Sequence, residues 1–183
     1  MPPPVRVTFS SGDAGAYRIE SMRTLAGDPL AQATHLGVSE GVWQTHDNAV
    51  WSLRGVSGHV RYVERAEKQR LAAVTPPLGR PEATLAALIP IRKNEAWWNL
   101  AQDERRAILE AQSQHIAIGM RYLPAIARRL SHSRELGEPF DFLTWFEYAP
   151  EHTGHFEELL QTLRASAEWT FVDREVDIRL RRL

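Results

Sequence analysis

The segment "AQDERRAILEAQSQHIAIGMRYLPAIARRL", residues 101–130, decides the fold class, because a helical pattern passes directly into a strand pattern. Apolar side chains recur at helical spacing over 101–123, acidic residues stand near the start, and Pro124 limits the end. The following stretch, 125–133, has the short length and the flanking turn residues of a strand. We predict a long helix followed closely by a strand.

The segments around it complete a recognisable unit. A mostly apolar run at 83–93 predicts a buried strand before the helix. After the strand at 125–133, the connection "RELGEP" leads to another strand at 140–148, as in a hairpin. An amphipathic helix at 150–166 and an alternating strand at 168–181 follow. The order β-α-β-β-α-β is that of a ferredoxin-like unit.

The N-terminal part carries strand patterns without matching long helices, and it precedes a proline-rich linker at 75–81. Its predicted elements are strands at 5–10, 17–25, 49–56 and 59–64 and a short helix at 66–74. We therefore predict an α+β protein of two fused ferredoxin-like units with antiparallel sheets. A truncated N-terminal unit covers 1–75 and a C-terminal unit covers 76–183. The residues themselves show no repeat, so the pairing of the units rests on element order.

Composition excludes several classes of function. The chain has 183 residues with 22 basic and 23 acidic side chains, a balance that suggests neither a nucleic-acid partner nor a membrane surface. The absence of cysteine excludes disulfides, thiolate nucleophiles and sulfur-ligated metals. The start does not resemble a secretory signal, and no apolar run reaches membrane-spanning length. We expect a cytoplasmic protein.

One histidine of the central helix is a candidate ligand. His115 shares a helical face with Gly119, and a glycine inside a helix costs about 1 kcal/mol relative to alanine, so it usually has a packing reason. A glycine one turn beyond a histidine leaves room for a flat group, such as a haem held by the imidazole. A core histidine bonded to a backbone carbonyl explains the same spacing and is the commoner case.

Four charged residues also have two interpretations each. Arg128 and Arg129 are adjacent on a predicted strand and point to opposite faces, so one guanidinium faces the less exposed side and needs a carboxylate or a bound anion. Lys93, at the end of a buried strand, meets either an anionic ligand or solvent. Glu168, at the start of the last predicted strand, is either a functional or a surface carboxylate.

The stretches "AALIPIRKNEAWWNL" (86–100) and "DFLTWFEY" (141–148), together with the quoted segment between them, resemble the haem-binding half of chlorite dismutases. The likeness runs from about Pro76 to Leu183 and is to the short, dimeric branch. It implies a fold of the dimeric α+β barrel type, haem b as cofactor, a homodimer, and conversion of the small anion chlorite to chloride and dioxygen.

The resemblance also implies roles at the iron. His115 matches the proximal ligand of the haem iron, and Arg128, thirteen residues later on the following strand, matches the catalytic distal arginine. Glu168 matches a carboxylate that bonds the other ring nitrogen of the histidine, which makes the imidazole more electron-rich. The arginine, a permanently charged forked donor, would hold the reacting anion until the O–O bond forms.

Further haem contacts follow from the same resemblance. Lys93 matches a lysine that meets one haem propionate, and Tyr62 is a candidate for the other. Trp97, the first tryptophan of the adjacent pair, matches a residue beside the haem. Thr144 and Phe146 match residues that line the distal side.

One position departs from the family pattern. Some short members carry a glutamine beside the distal arginine, just before a Pro-Pro pair, where this chain has Thr75. Threonine is too short to make the same side-chain bond, so a more mobile Arg128 is expected. Two other functions stay open: a coproheme decarboxylase-like enzyme, against which Arg128 argues, and a non-catalytic haem-binding or sensing protein.

Overall fold

The structure is a computed structural model and describes residues 4–57, 66, 69 and 73–183. The predicted strand at 59–64, with Tyr62, lies outside these residues. Of the predicted helix at 66–74, the described positions 66, 69, 73 and 74 are helical.

Eight antiparallel strands form a closed barrel in the order β1-β3-β2-β8-β5-β7-β6-β4. This arrangement confirms the prediction of an α+β protein with antiparallel pairing. The strands are β1 (Val5–Gly12), β2 (Tyr17–Ala26), β3 (His35–Glu40), β4 (Trp51–Ser57), β5 (Leu85–Lys93), β6 (Ile126–His132), β7 (Phe142–Tyr148) and β8 (Val172–Arg182).

Helices after β5 and β7 cover the outside of the barrel. Between β5 and β6 lie α1 (Glu95–Asn99), α2 (Gln102–Arg106), a π turn (Ala107–Gln112) and α3 (His115–Arg121), and after β7 comes α4 (Thr153–Arg164). Three short 3-10 turns occur at Arg134–Leu136, Pro150–His152 and Ala167–Phe171. No helix of the described residues is long and apolar enough to cross a membrane.

The alternation along β7 separates two hydrophobic cores. Leu143 and Trp145 belong to the cluster shared with β1, β4 and β8, which fills the barrel. Phe142, Phe146 and Tyr148 belong to a second cluster, which packs against α3 and α4. Each such side chain contributes about 1.5–3 kcal/mol when it is fully buried. The second cluster fixes the helices against the outer face of β5, β7 and β6.

The predicted helix at 101–123 is not continuous. It breaks where Gln114 adopts the left-handed backbone conformation, with φ 50° and ψ 35°, so that His115 is the first residue of α3. A single helical face across the whole of 101–123 therefore does not form. His115 and Gly119 still share one face, because both belong to α3.

Two further elements differ from the sequence prediction. Strand β3 and helix α1 were not predicted, and both are short. The Asn94 side chain accepts a hydrogen bond from the Trp97 backbone at 3.1 Å, an N-cap that starts α1. Glu168 does not open the last strand; it lies in the 3-10 turn Ala167–Phe171 that precedes β8.

Candidate functional site

Three residues from separate elements meet at the edge of the outer core. His115 Nδ1 lies 2.7 Å from Glu168 Oε2, and Lys93 Nζ donates to Glu168 Oε1 at 2.6 Å. The Lys93 and Glu168 side chains are 3% and 4% exposed, whereas that of His115 is 20% exposed. A buried carboxylate therefore connects a buried ammonium to an imidazole that still reaches open space.

Each member of this group is placed by its element. Lys93 is the last residue of β5, His115 begins α3, and Glu168 lies in the turn before β8, which pairs with β5. Asp141 fixes the end of β5, because its Oδ2 accepts the Lys93 backbone N–H at 2.7 Å and the Trp98 indole N–H at 3.1 Å.

The surroundings keep Glu168 ionised. Burial opposes the charge, but interactions with His115 and Lys93, including a hydrogen bond from each, outweigh it and lower the pKa of Glu168 to about 2. An ionised carboxylate accepts the Nδ1–H of His115, which fixes the tautomer and leaves Nε2 as the free nitrogen. Within the described part of the chain, His115 makes no other side-chain hydrogen bond.

Lys93 forms a buried ion pair with Glu168. Its ammonium is buried on Glu168 and lies 3.3 Å from the centroid of the Trp97 ring, an arrangement in which the ring face also stabilises the charge. Burial lowers the pKa of Lys93, and attraction to Glu168 opposes that shift. The predicted contact of Lys93 with a haem propionate stays a prediction. Trp97 is fully buried and meets Phe171 edge-on at 5.5 Å.

Arg128 lies on the same outer face as His115. It is opposite Phe146 in the register of β6 and β7, and it is half-buried. An ideal Cβ on Gly119 would stand 3.5 Å from Arg128 Nη1, with no other described atom within 4 Å. Burial lowers the pKa of Arg128 and the charge of Glu168 opposes the shift, so a guanidinium remains a cation here.

Arg128 has no ion-pair or hydrogen-bond partner among the described residues. Its neighbour Arg129 points to the other face and pairs with Glu40 of β3. The sequence left open whether an arginine here meets a carboxylate or an anion. Arg129 meets a carboxylate, and Arg128 is available to an anion.

The remaining predicted residues surround this position less closely. Phe146 is buried and packs against Phe156 of α4 with a ring separation of 5.1 Å. Thr144, two residues before it, is half-buried on the same face of β7 and pairs with Leu130 and Ile89 in register. Thr75 is exposed and makes no hydrogen bond to Arg128 within the described residues.

The side chains at this site fit a metal that is already held in a chelating cofactor, not a bare metal ion. No group of three or more His, Cys, Asp or Glu side chains in the described residues is placed to hold a bare metal ion. A haem iron needs only one axial ligand from the protein, and the Nε2 of His115 can supply it. The open helix face at Gly119 and the unpaired cation of Arg128 fit a flat group with an anion bound to it.

Sequence reasoning missed two residues that support the site. Asp141 positions Lys93, and Ser113 Oγ accepts the backbone N–H of Glu168 at 2.9 Å. Both are at least nine-tenths buried. Neither had a detectable signal, because a single Ser or Asp beside a turn ordinarily serves as a local cap.

Comparisons with known proteins identify the family of this chain. The family model described as "Chlorite dismutase" matches residues 32–182. A chlorite dismutase from Ideonella dechloratans is 29% identical over 116 residues, which are 61% of this chain and 38% of that protein. The chain therefore spans well under half the length of that curated relative.

Solved structures show the same fold. The crystal structure of dimeric chlorite dismutases from Nitrobacter winogradskyi is 57% identical, covers 97% of this chain and 99% of its own, and superimposes with a TM-score of 0.90. The chlorite dismutase of Candidatus Nitrospira defluvii in complex with imidazole is 20% identical, with a TM-score of 0.64 over 96% of this chain and 90% of that one. Because the family model covers most of the sequence, the chain belongs to the chlorite dismutase family.

Proposed function

We propose that this protein is a haem b-dependent chlorite dismutase, which converts chlorite into chloride and dioxygen. The proposal rests on the positions of His115 and Arg128, which lie on the same outer face of the barrel. His115 has one nitrogen held by an ionised carboxylate and the other free, and Arg128 has no carboxylate partner among the described residues.

His115 would hold the haem iron through Nε2. Bound haem would supply a ferric centre with one face open to an anion. Glu168, by accepting the Nδ1–H, makes the imidazole a stronger donor, which favours the oxidised metal and heterolytic O–Cl cleavage. Lys93 and Trp97 would support the cofactor through Glu168 and through the wall of the site.

Arg128 would retain the reacting anion. Its forked guanidinium binds an oxyanion through two donors, and the apolar wall that includes Phe146 strengthens this attraction by excluding water. Thr144 would line the same side, and Tyr62, outside the described residues, remains a candidate for a propionate. The reaction only rearranges the two oxygen atoms of chlorite, so the protein needs no external electron donor.

We also propose that the barrel consists of two fused ferredoxin-like units, over 1–75 and 76–183. The strand orders β4-β1-β3-β2 and β8-β5-β7-β6 support this division, because each is the same pattern in its own half of the barrel. The N-terminal half has no helix between β1 and β2 or between β3 and β4. A homodimer is proposed from the dimeric relative.

An oxygen electrode tests the proposal directly. Chlorite is added to purified, haem-loaded protein, and the ultraviolet–visible spectrum is recorded before and after. Prompt oxygen release from a five-coordinate, high-spin ferric protein supports the dismutase function, and the His115→Ala variant should lose that spectrum. Haem binding without oxygen release would overturn the proposed reaction and lead to coproheme and peroxide assays. Failure to bind haem would make His115 a core histidine.

A further inference from the structure

The helix that contains His115 is interrupted immediately before it. The π turn ends at Gln112, Ser113 follows with φ −102°, and Gln114 is left-handed with φ 50°. A left-handed residue other than glycine costs about 1–2 kcal/mol, so neighbouring contacts must hold the break in place. The orientation of the His115 imidazole depends on this break, because His115 directly follows Gln114.

Ser113 joins the break to the turn that carries Glu168. Its hydroxyl oxygen accepts the Glu168 backbone N–H at 2.9 Å, across 55 positions of sequence. Its own N–H donates to the Ile108 carbonyl at 3.0 Å, so the residue is also anchored to the π turn. Ser113 is only 5% exposed. Both ends of this link are therefore shielded from competition with water.

The two contacts with Glu168 form a closed ring. One runs from the Glu168 backbone to the Ser113 hydroxyl, and the other from the Glu168 carboxylate to His115 Nδ1. Only Gln114 lies between Ser113 and His115 in the chain. On the other side of the break, Glu110 Oε1 accepts the Ile116 N–H at 2.5 Å and caps the start of α3.

We propose, resting on the function proposed above, that Ser113 is a positioning residue that sets the geometry of the His115–Glu168 hydrogen bond. Through that bond Ser113 controls how strongly His115 Nε2 donates to the haem iron. Hydrogen bonds weaken steeply as their angle closes, so a small rotation of the turn at Glu168 weakens the bond without breaking it. A weaker bond makes the imidazole a poorer donor.

The test compares three variants of the haem-loaded protein. Ser113→Ala removes the acceptor, and Ser113→Cys keeps the volume with a poor acceptor. The matched control is Ser166→Ala, because Ser166 precedes the same turn and its hydroxyl donates to the Leu163 carbonyl at 2.6 Å, away from His115. The measurements are the haem dissociation constant, the ferric–ferrous midpoint potential and the iron–histidine stretching band of the ferrous protein.

Both Ser113 variants should bind haem about tenfold more weakly, which is the size of effect seen when a partner of a ligand is lost. Their midpoint potential should rise and their iron–histidine band should move to lower frequency, while Ser166→Ala matches the unmodified protein. These spectroscopic shifts separate positioning from a simple loss of stability. If Ser113→Ala fails to fold, Ser113→Cys decides.

Unchanged affinity, potential and stretching band in a folded Ser113 variant would overturn the positioning role. An equal shift in Ser166→Ala would overturn it as well, because the effect would then belong to the turn in general. Neither result touches the proposed function, which fails separately if the unmodified protein binds no haem or if its spectrum does not depend on His115.

Discussion

Arg128 Nη1 lies 3.5 Å from the position that a Cβ on Gly119 would take. The guanidinium of β6 therefore reaches the helix face one turn beyond His115, across the outer side of the barrel. Apart from the two neighbouring residues and the backbone of α3 itself, no other described atom comes within 4 Å of that position. The space between α3 and β6 is thus bordered at this point by one flexible side chain, which can move when a flat ligand enters.

Enlarging Gly119 should separate protein stability from haem affinity. Gly119→Ala makes an ordinary contact and should stabilise the haem-free protein by up to about 1 kcal/mol, because alanine is the better helix former. Gly119→Leu fills the space and should weaken haem binding by about 5- to 150-fold, equivalent to about 1–3 kcal/mol of overpacking. Haem titration and thermal unfolding measure the two effects.

The control for this change is Gly154→Leu, because a side chain at Gly154 on α4 meets no described atom within 4 Å. Its haem affinity should equal that of the unmodified protein. If Gly119→Leu also binds haem normally, the ligand does not lie against this part of α3.

Replacing Arg128 should reduce the number of turnovers before the enzyme inactivates more than it weakens haem binding. Cleavage of the O–Cl bond of chlorite would leave hypochlorite, an oxidant that attacks the protein if it escapes. Arg128→Ala removes the cation that would retain it, so the enzyme should inactivate after several-fold fewer turnovers. Haem affinity should stay close to normal, because Arg128 has no partner among the described residues that its loss would leave unpaired. Total oxygen per haem and trapped hypochlorite are the quantities to measure.

Arg129→Ala is the matched control, because Arg129 is adjacent in sequence but pairs with Glu40 on the opposite face. It should behave like the unmodified enzyme. Equal durability of Arg128→Ala and Arg129→Ala would contradict the retention role.

Much of the outer core was predictable because its patterns are periodic. The strand β7 and the apolar side of α4 follow from the length and spacing of apolar runs, and Arg128 and Arg129 were assigned to opposite faces because side chains alternate along a strand. The break at Gln114 was not predictable, since a glutamine carries no signal for a left-handed backbone. Contacts distant in sequence, such as Ser113 with Glu168, likewise leave no local pattern.

The ion pair of Lys93 and Glu168 should show strong energetic coupling. Glu168→Gln leaves a buried ammonium without its charge partner and should destabilise the haem-free protein by about 3–5 kcal/mol. Lys93→Met should cost less, because His115 still bonds the carboxylate. The double variant should be more stable than the sum of the two single effects predicts, by at least about 1 kcal/mol. Urea unfolding of the four proteins measures this coupling.

Arg92→Met serves as a control from the neighbouring position on β5. Its pair with Asp173 at 2.9 Å is exposed on both sides, with side-chain exposures of 43% and 41%, so it should contribute less than about 1 kcal/mol. Additive effects of Lys93→Met and Glu168→Gln would show that the two charges do not stabilise each other.

Asp177 on β8 should contribute to acid stability. Its side chain is fully buried between Arg164 and Arg179, at 2.9 and 2.5 Å. Burial opposes ionisation, but the hydrogen bonds and charges of these arginines outweigh it and lower the pKa of Asp177 in the folded protein. The stabilisation is therefore fully present above the unfolded pKa of about 3.9 and is lost as the pH falls through the folded pKa.

Asp177→Asn should lose about 1.5–3 kcal/mol at pH 7, because charge-assisted hydrogen bonds are lost while Arg164 keeps Glu175 and Arg179 keeps Glu157. Its stability should then change less steeply than that of the unmodified protein below about pH 4, since one group with a lowered pKa has been removed. Urea unfolding at a series of pH values tests both statements. Glu20→Gln, which removes an exposed partner of Arg181, should change the stability little. The same pH dependence in Asp177→Asn and the unmodified protein would assign the acid sensitivity to other carboxylates.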